Sequence, residues 1–227
     1  MASPYYVSPE QWFQDKAEYA RKGIARGKPI AALEYESGIV LVAENQSASL
    51  RKLAEIYDRI AFAGVGKFDE YENLRKAGVR YADMRGYSFC REDVWAKNLA
   101  NEYSTLLGSI FTREAKPFEV EVLVVEVGEA TSAFYQVLYD GSITDHEHFA
   151  AIGGTSDDLR SVLKGGWKAA MSLADAVKLG EQALSKAANG SANLSEGTLE
   201  IAVLERSRPG RKFRRVDPDE VRELLAG

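Results

Sequence analysis

The only two histidines of the chain stand two residues apart in His146-Glu147-His148. On a strand that spacing turns both imidazoles to one face, which is how a metal site begins. No third group of ligands accompanies them, and Asp145 to His148 reads as a solvated turn. Gly23-Ile24-Ala25-Arg26-Gly27-Lys28 has the look of a phosphate loop. It is one residue short, Pro29 stands where Ser or Thr is needed, and it follows a helical pattern instead of a strand. Cys90, the only cysteine, has Arg91 beside it to favour a thiolate but no histidine to pair with, so it reads as a packing residue. Arg206 to Arg215 gathers six basic residues around Pro209-Gly210, a nucleic-acid signal or, more simply, a charged hairpin tip. A Gly-x-Ser-x-Gly elbow is absent from the sequence. Metal and cofactor are therefore expected to be none.

Composition sets the frame for these fragments. The 227 residues are 45% hydrophobic and 28% charged, which is ordinary for a globular chain. A formal charge of −5 opposes a dedicated nucleic-acid binder. A single cysteine fits a reducing compartment, and no signal peptide or membrane-length apolar run is visible. A cytoplasmic location is expected.

The organising element is a predicted β-hairpin. Ile30 to Leu33 and Ile39 to Ala43 flank the polar turn Glu36-Ser37-Gly38. Its second run barely alternates, as a strand buried on both faces does. Ahead of it, Ser8-Pro9 with Gln11 starts a helix whose apolar stripe is Phe13, Ala17, Ala20 and Ile24. Gln46 to Lys52 reads as a polar crossing, and Arg59 to Gly66 as a buried strand. Helical patterns follow over about Phe68 to Met84 and Glu92 to Phe111, the second with the stripe Trp95, Leu99, Tyr103, Leu106 and Ile110. Strands are predicted at Phe118 to Val127, Thr131 to Tyr139, His148 to Ile152 and Thr198 to Leu204. Helices are predicted at Asp157 to Lys164, from the Ser172 cap onward, and after Asp217-Pro218. Asn189 to Gly197 reads as a polar loop. Paired helices alternating with grouped strands predict an α/β chain of two antiparallel sheets between two helical layers, in one domain spanning 1–227.

Ordered motifs then become recognisable: Ser8-Pro9-Glu10-Gln11, Tyr19-Ala20-Arg21-Lys22-Gly23-Ile24, Ala43-Glu44-Asn45, Gly66-Lys67-Phe68, Arg85-Gly86-Tyr87, Ala115-Lys116-Pro117-Phe118 and Tyr139-Asp140-Gly141. In these the chain resembles proteasome α-subunits of the actinobacterial type, over nearly its whole length. The resemblance implies the N-terminal-nucleophile hydrolase fold, a four-layer αββα sandwich with an extra N-terminal helix (8–27) before the core (28–227). It also implies that the catalytic threonine of the β-subunits is replaced here by Lys28 beside Pro29. Glu44 and Lys52 fall near the acid and the lysine that support that threonine, so no catalytic residue is expected.

Further implications concern assembly. Seven copies would form each outer ring of a four-ring barrel, stacked on rings of β-subunits. The arm Met1 to Val7 (Ala2, Ser3, Pro4, Tyr5, Tyr6 and Val7), with Ser8 and Pro9 at its root, would gate the entry of unfolded substrates. The family's Tyr-Asp-Arg latch is replaced by Tyr5-Tyr6-Val7. Glu18, Lys52 and Gly66 would receive the C-terminal tails of a hexameric ATPase activator, with Lys52 meeting the terminal carboxylate. Lys116, Pro117 and Phe118 would line the inner pore. Two alternatives stay open: a self-processing hydrolase using Ser37 or Thr155, and a nucleic-acid module built on the basic tip.

Overall fold

The computed structural model describes residues 8–47, 49–187 and 198–226. The first helix, α1 (Pro9–Ala25), begins as its sequence dictates: the Ser8 hydroxyl accepts from the Gln11 N–H at 3.2 Å, with Pro9 in the first turn. There follow β1 (Ile30–Tyr35), β2 (Gly38–Glu44), β3 (Leu53–Tyr57), β4 (Ile60–Gly66), α2 (Phe68–Ser88), a 3-10 turn at Arg91–Asp93 and α3 (Ala96–Arg113). Next come β5 (Val120–Val127), β6 (Ser132–Val137), β7 (Ile143–His146), β8 (Phe149–Ile152), α4 (Ser156–Gly166) and α5 (Leu173–Ala187). The chain closes with β9 (Leu199–Glu205), β10 (Phe213–Arg215) and α6 (Pro218–Ala226).

The strands form two five-stranded antiparallel sheets, ordered β10-β9-β2-β1-β8 and β3-β4-β5-β6-β7. In the hairpin, Ala32 faces Leu41 across the ladder and Tyr35 faces Gly38, leaving the two-residue turn Glu36-Ser37. β2 is the central strand of its sheet and is buried at all seven positions. Its alternate residues serve two cores. Ile39, Leu41 and Ala43 face the other sheet, while Val40 and Val42 face the core under α5. The third core lies between the second sheet and α2 with α3. Layering of helices, sheet, sheet and helices is thus what the sequence predicts, and α1 tucks Ala20 and Ile24 into one end of the inter-sheet core.

Several local predictions change. β3, β7 and β10 were not foreseen as strands. The helix predicted from Glu92 starts at Ala96, where the Glu126 carboxylate accepts the Ala96 N–H at 2.7 Å. Its buried stripe runs through Leu99, Tyr103 and Leu107, leaving Trp95 and Leu106 exposed. Gly78 is in mid-helix because a Cβ there would lie 1.9 Å from the Tyr103 hydroxyl oxygen. The arm Met1 to Val7 and the loop Asn189 to Gly197 lie outside the described residues. No described helix is long and apolar enough to cross a membrane.

Candidate functional site at the start of the first strand

Gly27 ends α1 with its N–H on the Ile24 carbonyl at 2.9 Å, and it lies against the Val65–Gly66 end of β4. The chain then enters β1 through Lys28-Pro29. A 270 Å³ cleft opens here, lined by residues that include Arg26, Lys28, Glu44, Thr155 and Leu184. Lys28 Nζ sits 3.3 Å from the buried Glu44 carboxylate, which β2 delivers from the adjoining ladder position. Lys52, just before β3, turns its Nζ onto the Lys28 carbonyl at 3.1 Å.

Neighbouring strands bring Lys52 and Gly66 to one sheet end. β3 and β4 are antiparallel partners, and the Gly64 N–H donates to the Lys52 carbonyl at 3.2 Å. Gly66 has φ 110°, and a Cβ on it would collide with the Glu119 carbonyl at 1.9 Å, so only glycine closes β4 against β5 there. Glu18 stands apart from this cluster. It is exposed on α1 and pairs with Lys22 at 2.6 Å, a hydrogen bond that holds its carboxyl below the ordinary range.

Electrostatically, Lys52 is the distinctive group. Burial lowers its pKa to about 8, with Lys28 adding to the effect and Glu44 and Glu200 opposing it. Glu200 is engaged elsewhere, accepting from Asn45 at 2.6 Å, Arg215 at 2.8 Å and the backbone N–H groups of Lys52 and Leu53. Sequence reasoning missed Lys16, a second lysine of this region. It is buried on α1, places Nζ 3.6 Å over the Trp12 ring and donates to the Phe111 and Glu114 carbonyls at the end of α3. Its signal was its place one residue before Ala17 on the inward face.

Lys116, Pro117 and Phe118 join α3 to β5. Lys116 Nζ lies 2.8 Å from Glu70 and 2.9 Å from Glu119. Burial works against its charge, but these two hydrogen bonds outweigh it and raise its pKa. Pro117 is buried and Phe118 packs on the core under α2 and α3.

The remaining sequence candidates separate. His146 lies in β7, not in a solvated turn, and its Nε2 meets the Gln136 amide oxygen at 2.6 Å. His148 turns back at φ 66° to reach Glu34 at 3.0 Å. The two rings therefore diverge, and no group of three metal-ligand side chains occurs among the described residues. Cys90 is exposed instead of packed. It donates to Asp93 at 3.0 Å, which raises its pKa, and Arg91 turns away to Asp58. The basic run is held within the fold: Arg206 reaches Glu34, Arg211 reaches Glu55, Arg214 reaches Glu220 and Arg215 reaches Glu200. Ser37 is in the hairpin turn, at the other end of β1, whereas Thr155 lines the cleft.

A scaffold of two sheets between helical layers, with α1 leading into the first strand and a lysine-carboxylate cluster beside it, can now be set against known sequences. A model of the proteasome subunit family matches residues 24–204. The chain belongs to the proteasome subunit family. It is 50% identical to the "Proteasome subunit alpha" of Kineococcus radiotolerans, covering 100% of this chain and 99% of that one. To the proteins of the same name from Thermobifida fusca and Mycolicibacterium smegmatis it is 47% and 46% identical, over 99% of this chain and 91% and 94% of theirs. The alignment to the Kineococcus protein covers the α1 residues as well, most of which precede the span that the family model matches.

Proposed function

We propose that this chain is the non-catalytic α-type wall and gate of a proteasome core particle, one domain over 1–227, acting in the cytoplasm. It builds homo-heptameric outer rings on rings of β-subunits. The observation that carries this reading is the start of β1. In a threonine-type subunit, a free amine and its own hydroxyl do the chemistry there. Here the position is Lys28, which has no hydroxyl, and its backbone nitrogen is in a peptide bond behind Gly27 and α1. Glu44 and Lys52 remain as the supporting pair of a nucleophile that is missing.

The same pair supplies the docking chemistry. Lys52 Nζ donates once, to a neutral carbonyl, and keeps two N–H donors for the terminal carboxylate of an activator tail. Gly66 leaves the neighbouring sheet end bare of side chain, and Glu18 offers an acid from α1. The residues Ala2 to Val7, with Ser8 and Pro9 at their root, form the gate that holds back folded substrates. Lys116, Pro117 and Phe118 shape the inlet.

Four measurements test this. Mixed with its β partner, the chain should assemble into a four-ring barrel in micrographs, and deleting Ala2 to Ser8 should raise peptide hydrolysis by that barrel. Unchanged hydrolysis would remove the gate assignment. Lys52→Ala should weaken binding of an activator tail peptide while assembly persists, and intact mass should show no autocatalytic shortening to a new Ser or Thr terminus. A shortened chain would favour the hydrolase alternative at Thr155.

A further inference from the structure

The two outer strands of the second sheet, β3 and β7, carry opposite charge. At the β3 edge, residues of β3, α2 and the β10 segment enclose a 420 Å³ cleft that bears Arg51, Arg75, Arg211 and Arg215 against only Glu55 and Glu72. Three of these arginines are engaged. Arg75 holds Glu72 at 2.7 Å, Arg211 pairs with Glu55, and Arg215 spans from Glu200 at 2.8 Å to the Leu53 carbonyl at 2.7 Å. Arg51 is the charge left over: it is exposed and makes no ion pair among the described residues. Leu50, beside it, is exposed as well.

The β7 edge is the reverse. β7 has β6 on one side only, and its first three positions are exposed. Asp145 within it and Glu147 just past its end are both exposed, and neither joins an ion pair among the described residues. An exposed aliphatic accompanies these charges too, Ile143. Five strands separate an unpaired cation with a leucine from unpaired acids with an isoleucine.

We propose that these edges meet between copies of this chain: the β7 edge of one copy docks at the arginine cleft beside β3 of the next. Asp145 and Glu147 then face Arg51, and Leu50 and Ile143 leave water together. Charge selects this occupant. Like edges repel, which disfavours a two-fold dimer through β3–β3 or β7–β7, and a chain of net charge −5 is poorly suited to holding nucleic acid in the cleft. Two different surfaces make a head-to-tail contact, which closes into a ring or runs on as a filament. Side chains form the joint, without a shared ladder, because Arg215 and Glu200 already occupy the Leu53 carbonyl and N–H at the free side of β3. The contact supplies the joint of the ring proposed above and rests on that reading for the number of copies.

The test reverses the charges in the full chain and measures assembly, alone by sedimentation velocity and with the β partner by native mass spectrometry. Arg51→Glu and Asp145→Lys break no ion pair within the described chain, and unchanged melting should verify that both variants fold. Each should weaken the contact about tenfold, and the double variant should recover to within about twofold of the parent. Added salt should weaken the parent contact, since the pairs lie at the surface. Single variants that assemble like the parent, or a double variant no better than the singles, overturn the proposal. The ring reading is scored separately. Parent rings of seven that ignore the reversals keep the heptamer and remove the edge contact. Filaments or another ring size, with the charge-swap rescue intact, keep the edge contact and remove the heptamer. A parent that stays monomeric under both conditions removes both.

Discussion

The two ends of β1 are held by opposite means. At the hairpin end, side-chain charge is saturated. Glu34 accepts from Ser132 at 2.7 Å and meets His148 at 3.0 Å and Arg206 at 3.4 Å. His148 stacks on Trp167 at 4.2 Å between centroids, and the Trp167 indole N–H donates to the Glu34 carbonyl at 3.0 Å. Three segments of the chain are thereby stapled to one carboxylate, and a fourth to the carbonyl of the same residue. At the cleft end the staples are largely backbone, Gly27 against Gly66 and Gly66 against Glu119, beside the Lys28–Glu44 pair and the Lys52 amine on the Lys28 carbonyl. One end is tied by side-chain charge, and the other by backbone contacts that place tight steric demands on glycine.

The largest expected effect tests those demands. Gly66→Ala adds a Cβ 1.9 Å from a backbone carbonyl at a φ of 110°. Strain and overpacking together should cost about 3 kcal/mol, read as a lowered midpoint in urea unfolding. A change below ~1 kcal/mol would show that the cleft end relaxes and is not backbone-locked.

Glu34→Ala should come next, at about 2 kcal/mol, since three polar partners lose their acceptor together. A pH signature accompanies it. Burial tends to raise the Glu34 carboxyl, but the bonds from His148 and Ser132 outweigh it and hold the pKa below the ordinary value. A depressed carboxyl stabilises the fold above its unfolded pKa of about 4.3, and the benefit is lost as pH falls through the lower folded value. The parent should therefore lose stability in that acid range, and Glu34→Gln should flatten the loss. Parallel pH profiles would make the hairpin-end network ornamental.

Lys52→Met should be the mirror image, on the order of 1 kcal/mol and stabilising at neutral pH. The folded pKa of about 8 lies below the ordinary lysine value. Between the two, the unfolded chain binds more protons, so parent stability rises with pH from about 8 to 10.4. The advantage of the methionine variant should shrink over that window. Destabilisation at pH 7 would mean that Lys52 is paired after all, and the contrast between the ends would disappear.

How much of this was legible beforehand follows the same division. Local chemistry was readable: the Ser8 cap, the two-faced run of β2 and the Asp217-Pro218 start of α6. What failed depended on tertiary partners. β3 is Leu-Ala-Glu-Ile-Tyr, short and with an acid inside it, and it becomes a strand because β4 lies alongside. Its turn at Asp58-Arg59 was the available signal. β7 is largely exposed and β10 is three residues of a basic run, so neither has an apolar pattern. The α3 stripe was shifted because Trp95 looks like core, yet it lies outside under the Arg59 guanidinium at 4.4 Å. For the site, Lys28, Glu44 and Lys52 came together only through the family resemblance. Their geometry needs the β1–β2 and β3–β4 registers, which no spacing in the sequence displays.

The smallest effect concerns the cover of the cleft. α1 is anchored along its length by Lys16 on the end of α3, by Arg21 on the Tyr139 hydroxyl at 3.0 Å, and by Ala20 and Ile24 in the inter-sheet core. Its first turn is closed by the Ser8 cap on Gln11 and by the Trp12 N–H on the Ser8 carbonyl. Ser8→Ala should therefore cost about 0.5–1 kcal/mol and fray that turn alone. Amide hydrogen exchange should quicken over residues 9–13 and stay unchanged over 20–25, with the Lys52 titration unmoved. If protection falls along the whole helix, α1 moves as one rigid lid. The cleft end would then owe its order to a cap some distance from it, and not to the glycine contacts that set it apart from the hairpin end.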